Sequence, residues 1–384
     1  MFMRNQLAAI ELRSLVSELK QLEGSWLDQV YDLHKPAVAK PGKTIVMQLS
    51  TSEGKRFIVC VAPYAAFMSS RKPAVLEGLS SFCRLLRHHL ANAKLVSVSQ
   101  MGSERILELV FSSKNRQVKL IIELFSKGNI ILVDERGVIL GATEHQTWKD
   151  RTVRPGFAYS PPPAAADFSK LSYDQLSALI LSSKKDSVVK ALAIDLGLSG
   201  IYAEELCASA SVDKSKKPQQ LSQQEIQGLF SSLQQLLSRK PSPIAILDDS
   251  SSVIDVFPFP TASAAATITK SFPSFNEAVE AVALPQLEAA AFSSKTAAFS
   301  GQIKELETVI GQQRAAVAEL SKAAGEATKA AEFIYEHYME IKQVLEDYNR
   351  LRKAFTPDQL KEYFSSNKLV RNIDEKTGQI TLEI

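Results

Sequence analysis

From Phe299 to Tyr348 the apolar positions advance by alternating steps of four and three: Phe299, Ile303, Leu306, Ile310, Gln313, Val317, Leu320, Ala324, Ala327, Ala331, Ile334, Tyr338, Ile341, Leu345 and Tyr348. An unbroken alternation of this kind is the heptad repeat of a coiled coil, which keeps one apolar seam on one side of a helix. A helix this long outruns most domains, so an amphipathic helix packed along a globular core is the lesser alternative. A lone helix cannot bury its own seam, so the sequence calls for self-association through residues 299–348 or for a second polypeptide supplying a return helix. The helix is expected to stop before Thr356-Pro357, with threonine as cap and proline as the first residue of a new helix. Residues 378–384 read as a closing strand.

The first 160 residues are of another kind. Leu7 to Leu22 has helical spacing and stops near Gly24, and a short apolar stretch from Leu27 to Leu33 follows. Residues 44–49 and 56–61 flank the turn Ser52-Glu53-Gly54-Lys55 and read as a hairpin. A helix over Leu79–Leu90 precedes strands at 95–98, 105–111, 118–125, 129–133 and 138–141. Strands that follow strands without helices between them indicate an α+β fold with an antiparallel sheet. Pro155-Gly156 and the three prolines at 161–163 are expected to end the lobe and begin a linker. Residues 171–212 are helical again, interrupted by Leu196-Gly197-Leu198-Ser199-Gly200, with a new helix over 201–210. Strand text returns at 242–260, and 275–282 reads as a short helix. The expected divisions are 1–165, a helix-hairpin-helix at 166–215, a second piece of the first lobe at 216–285, the coiled-coil arm at 286–355 and an end piece at 356–384.

Little in the chain suggests chemistry of its own. The five histidines show no HxxxH spacing, and no GxSxG or phosphate-cradling glycine loop occurs. Adjacent His88 and His89 project on different helix faces, and Cys60, Cys83 and Cys207 lie far apart without a CxxC pair, so no metal and no cofactor is expected. No apolar run reaches the ~18 residues of a spanning helix, so a soluble cytoplasmic protein is expected. Charge is more informative: up to Ser160 the chain has 22 Lys and Arg against 14 Asp and Glu (+8), and beyond it 23 against 28 (−5). An anionic partner would meet the first half. Arg71, Lys72, Arg84, Arg87, Lys94, Arg105, Lys114, Arg116, Lys119 and Lys127 outnumber the four acids of the same stretch. Arg84, Arg87 and His88 at i, i+3 and i+4 would share one helix face suited to phosphate, with a merely solvated charged face as the equal alternative. The LGLSG hairpin could aim backbone N–H groups at a phosphate, and helix packing explains it as well.

Several stretches together resemble the NFACT family of ribosome quality-control factors, its archaeal branch most. They are Glu11-Leu12-Arg13-Ser14-Leu15, FCRLLRHHL (82–90), QMGSERILEL (100–109), GNIILVD (128–134), DRTVRPG with YSPPP (150–163), GLSGIYAEELC (197–207), VFPFP and FPSFNEA (256–278), and AEFIYEHYMEIKQVL (331–345). The resemblance implies an NFACT N-terminal domain related in fold to formamidopyrimidine-DNA glycosylases, a helix-hairpin-helix insert, and a coiled-coil arm with a small middle domain. Family members bind the large ribosomal subunit carrying stalled peptidyl-tRNA and recruit tRNA, often alanyl-tRNA. They support template-free tailing of the nascent chain, with the ribosome doing the chemistry, so no enzymatic activity is expected of this chain. The family's tailing motif is an Asp-Arg pair plus an acid in the first helix; here those positions read Glu104-Arg105 and Glu11. Arg84, Arg87, His88, Glu123, Lys127, Gly197 and Gly200 complete the expected nucleic-acid face. The returning half of the coiled coil and the RNA-binding domain that normally follow are not in the sequence, so either the sequence is a piece of a longer protein or a separate chain carries them.

Two competing classes fare worse. A DNA glycosylase would attack through an N-terminal proline amine, where this chain has Phe2, and would need zinc-finger cysteines. A coiled-coil adaptor or adhesin without RNA function leaves the basic lobe unexplained.

Overall fold

The computed structural model describes residues 6–32, 43–73, 80–113, 116–163, 166–248, 253–262, 268–374, 377 and 379–383, with only the backbone over 290–299. Leu79, Lys114, Gly378 and the side chain of Phe299, all used above, lie outside that description. The chain divides into two compact units, 1–298 and 299–384.

The first unit opens with α1 (Ala9–Leu19), continued by a 3₁₀ turn (Lys20–Leu22). Among the described residues, nine strands then form one antiparallel sheet. They are β1 (Trp26–Asp32), β2 (Lys43–Thr51), β3 (Gly54–Ala62), β4 (Ala65–Ser69), β5 (Lys94–Gln100), β6 (Ile106–Ser113), β7 (Arg116–Glu123), β8 (Asn129–Asp134) and β9 (Ile139–Ala142), with α2 (Ser81–Leu90) between β4 and β5. The order β4-β3-β2-β1-β5-β6-β7-β8-β9 is two meanders joined where Trp26 of β1 pairs with Lys94 of β5. Strand β4, only five residues long, was not anticipated.

The lobe does not end at Pro155. A small hairpin, β10 (Gln146–Thr147) with β11 (Thr152–Val153), folds back over β7–β9. The backbone as far as Tyr159 then hydrogen-bonds to β9 and the turn before it, Ile139 N to Phe157 O at 2.8 Å and Tyr159 N to Gly137 O at 2.8 Å. Val153 packs with Ile106, Ile121 and Ile131.

Helices follow: α3 (Tyr173–Ser182), α4 (Val188–Lys190) running into a π-helical turn (Ala191–Asp195), α5 (Gly200–Ser209) and α6 (Gln223–Ser238). Their common core extends past residue 215, because Ile226, Leu229, Leu233, Ile244, Phe257 and Phe259 share it with Leu192, Tyr202 and Leu206. A small sheet, β12 (Ile244–Leu247), β13 (Val253–Phe257) and β14 (Thr269–Ser271), has Ile244 and Phe257 in this helical core. Its alternate residues Ala245 and Val256 lie in the core of the large sheet, as the two-residue period of a strand requires.

The helix expected over 275–282 is the start of α7 (Phe275–Glu336), which continues through Pro285. Its first turns are buried at Phe275, Ala278, Val279 and Val282 in the large core, and Glu18 of α1 accepts from the N–H groups of Phe275 and Asn276 at 2.9 and 2.7 Å.

In the second unit α7 ends one residue before His337, whose φ of −104° and ψ of 23° break the helix before α8 (Tyr338–Leu351). Helix α9 (Pro357–Phe364) starts where expected, with Thr356 N donating to Gln359 Oε1 at 3.0 Å. A hairpin of β15 (Val370–Asp374) and β16 (Gln379–Leu382) closes the unit. The heptad count does not survive the break. Val344 and Tyr348 form a small core with Leu360, Phe364 and Ile373, so Val344 takes the inward place that the seam assigns to Leu345. Leu345 is exposed, as are Ile303, Leu306, Ile310, Val317 and Leu320.

Candidate functional site

Three of the expected residues meet where α1 begins. Helix α1 has Ala8 at its N-cap, which has no side-chain oxygen, and Glu11 supplies the missing acceptor: its Oε2 takes the Ala8 N–H at 2.7 Å. Glu11 Oε1 accepts from the Tyr202 hydroxyl of α5 at 2.9 Å. Both groups are buried, so each hydrogen bond is expensive to remove. Helix α1 belongs to both cores of the unit, with Leu12, Leu15 and Leu19 in the sheet core and Ala8, Ala9 and Ile10 in the helical one. Glu11 ties the two together.

The turn between β5 and β6 brings the other two residues. Glu104 N donates to Met101 O at 3.0 Å, and Gly102 has φ +55°. Gln100 Nε2 clamps this turn to α1, donating to Glu104 O at 2.8 Å and to Ala9 O at 2.9 Å. Arg105 is half-buried and donates from Nη1 to Gln6 Oε1 at 2.7 Å. Burial pulls its guanidinium below the usual arginine range, and the carboxylates of Glu104 and then Glu11 pull it back. Gln6 in turn donates to Ser126 O at 2.9 Å, which places exposed Lys127 beside the group. An arginine fork held by an amide, with two carboxylates in its electrostatic surroundings, is pre-positioned for a planar or anionic acceptor.

A cleft of about 370 Å³ adjoins the turn, lined by Arg13 and Ser17 of α1 and Lys20 just after it, by Ser99, Gln100 and Gly102, and by Asp167, Ser169 and Lys170. Asp167 Oδ1 accepts from Ser103 Oγ at 2.6 Å and from Ser169 Oγ and N at 2.7 and 3.1 Å. Burial raises this carboxyl, but the bonds from Ser103 and Ser169 outweigh it and hold it below the usual range. Gln6, Gln100, Asp167 and Tyr202 escaped the sequence reading. Only Asp167 carries a local signal, the Asp-x-Ser spacing that closes a side-chain turn.

The remaining expected residues lie apart. Ser80 caps α2, accepting from Cys83 N at 3.0 Å. Arg87 donates from Nε to Val30 O at 2.7 Å, and its guanidinium and the Lys72 ammonium sit over the Tyr31 ring at 5.7 and 3.7 Å. Arg84 and His88 are exposed on the same helix. Gly197 adopts φ +76° and the neighbouring Ser199 φ +71°, the left-handed geometry in which an L side chain is strained. Leu196 and Leu198 anchor that hairpin in the helical core, and exposed Gly200 opens α5.

Glu123 is a correction. Its side chain is inside the protein, ion-paired with buried Arg151 and accepting from the Tyr159 hydroxyl at 3.1 Å. Its carboxylate neutralises Arg151 and offers nothing to a nucleic acid.

All three cysteines are free and buried, and among the described residues no cluster of His, Cys, Asp or Glu could hold a metal. Burial pushes Cys60 up to about 12, and Cys83 and Cys207 to about 11. Among the described residues no helix is long and apolar enough to cross a membrane.

Comparison with known proteins places this arrangement. The family described as NFACT N-terminal and middle domains matches residues 9–382. The Archaeal Rqc2 homolog aRqcH of Methanocaldococcus jannaschii is 24% identical over 402 residues, covering 100% of this chain and 58% of that protein. The Ribosome quality control complex subunit NEMF of Homo sapiens is 28% identical over 193 residues, covering 49% of this chain and 17% of its own length. In fold, the chain is similar to the N-terminal part of the fibronectin/fibrinogen-binding protein from Streptococcus suis, with TM-score 0.57 and 21% identity over 72% of this chain and 98% of that one.

Proposed function

The chain belongs to the NFACT family, and on that premise we propose that it is a cytoplasmic ribosome quality-control factor. It binds the large ribosomal subunit that carries stalled peptidyl-tRNA and recruits tRNA for template-free tailing, while the ribosome makes the peptide bonds. The observation that carries this reading is the convergence of Glu11, Glu104 and Arg105 at the start of α1, with Gln6 accepting from the arginine and Gln100 clamping the turn that carries it. The names of the archaeal and human relatives support it. Arg84, His88 and Lys127 are exposed cations of the same basic lobe and add phosphate contacts. The exposed seam of α7 pairs with a second helix, by self-association or from a separate chain that carries an RNA-binding domain.

Co-sedimentation with stalled large subunits across a salt series tests the reading. Binding should fall steeply with salt, and Arg105→Ala should weaken it by roughly 1–3 kcal/mol. Unaltered affinity and slope in Arg105→Ala would mean that the fork serves only the fold. Tailing is read in the same system with the RNA-binding chain supplied, comparing wild type with Glu104→Asp and Glu11→Asp. Each change withdraws a carboxylate by about one C–C bond, ~1.5 Å, so equal activity in all three would show that carboxylate reach is irrelevant.

A further inference from the structure

The hairpin of β10 and β11 is costly for its size. At its tip Trp148 N donates to Arg151 O at 2.7 Å, and the Arg151 guanidinium lies over the rings of Trp148 and Tyr159, each at 5.3 Å. Glu123 pairs with this guanidinium from β7, and Arg151 Nε is buried with no hydrogen-bond partner among the described residues. A buried ion pair of this kind seldom adds stability over an apolar replacement. What it does here is fix a tryptophan ring: Trp148 is 48% exposed, and Phe157, which follows the hairpin in the chain, is 52% exposed. The neighbouring residues in sequence are His145, Lys149, Asp150 and Arg154, all exposed, so Lys149 and Arg154 put cations next along the chain to each ring in a lobe of positive balance.

We propose that Trp148, steadied by the Glu123–Arg151 pair, is a stacking platform for an unpaired RNA base, with Phe157 as a second ring and Lys149 and Arg154 reaching the adjoining phosphates. Isolated aromatic faces between cations fit a single-stranded nucleic acid, since every base has a π-face and each linkage a negative charge. A protein partner would call for a broader apolar patch than two separated rings. This inference extends the RNA reading above and is tested separately from it.

The chain has two tryptophans, so Trp26→Phe leaves Trp148 as the sole indole emitter. The probes are an unmodified tRNA transcript, whose loops hold unstacked bases, and a blunt RNA duplex of equal phosphate count. Transcript should quench the emission strongly and duplex only weakly. Trp148→Ala should lower transcript affinity roughly tenfold with an unchanged salt slope, Trp148→Phe should retain most of it, and Arg154→Ala should reduce the slope by about one. Trp148→Phe keeps a ring and guards against a misfolded alanine variant. Binding without quenching, equal quenching by duplex, full affinity in Trp148→Ala or no binding of transcript would each overturn the platform. Co-sedimentation with the large subunit is an independent readout: its failure beside strong quenching would remove the ribosome reading and leave stacking intact.

Discussion

The sheet lobe and the stretch of α7 beyond residue 299 are both rich in periodic apolar residues, yet they end in opposite states. In the lobe each strand finds its neighbour within the same chain, and Leu109, Phe111, Leu120 and Leu132 are inaccessible to solvent. Along α7 the same density of signal faces water, with Leu320 71% exposed. Periodicity thus states which face wants burial and is silent on what buries it. The lobe is stabilised by its own sequence, and the seam is left facing solvent.

Substitutions can break this contrast or sharpen it. Phe111→Ala in β6 should cost about 3–5 kcal/mol by leaving a cavity in a packed core, read as a lowered denaturation midpoint; a loss under ~1 kcal/mol would mean that the sheet is not close-packed there. Glu11→Ala strands the Tyr202 hydroxyl and the Ala8 N–H between the two cores and should cost roughly 2–3 kcal/mol, with extra hydrogen exchange at the N-terminus of α1. Acid acts next. Asp167 titrates below its unfolded value, so its hold on Ser103 is fully present above about pH 4 and lost as pH falls through the lower folded value. Amide exchange at Gly102 and Ser103 should therefore quicken below pH 4 in wild type and be fast at every pH in Asp167→Asn; equal protection in both would dissociate the carboxylate from the turn. The smallest effect belongs to the seam. Leu320→Ala should leave the monomer's stability within ~0.5 kcal/mol, whereas Ile310→Asp with Leu320→Asp should abolish self-association seen by light scattering. A monodisperse monomer at high concentration, unchanged by both aspartates, would deny the seam a partner of its own kind.

The strands of the large sheet were legible because each alternates or runs apolar between recognisable turns, as in Asp134-Glu135-Arg136-Gly137 before β9. The short edge strands β4, in the large sheet, and β14 were not, since five and three residues are too few to show a period. Helix α6 was overlooked in glutamine-rich text whose apolar face only packing reveals, and the short helix expected at 275–282 continues through Pro285 into α7. At the site, Glu104 and Arg105 are neighbours and could be read together. Glu123 could not be placed, because the Arg151 that claims it is 28 residues away. The heptad count ran past His337 because periodicity has no mark for a break in backbone direction, and Val344 replaces Leu345 only in the folded unit.

Helix α1 is held in phase twice, by the sheet core through Leu12, Leu15 and Leu19 and by the helical core through Ala9 and Ile10. One inserted or deleted residue turns everything beyond it by about 100°, so no single rotation can satisfy both cores again. Length variation that surface loops absorb freely is therefore closed to this stretch. In the language of drift, α1 is a segment whose letters can change but whose length cannot, and the acid at position 11 inherits that immobility.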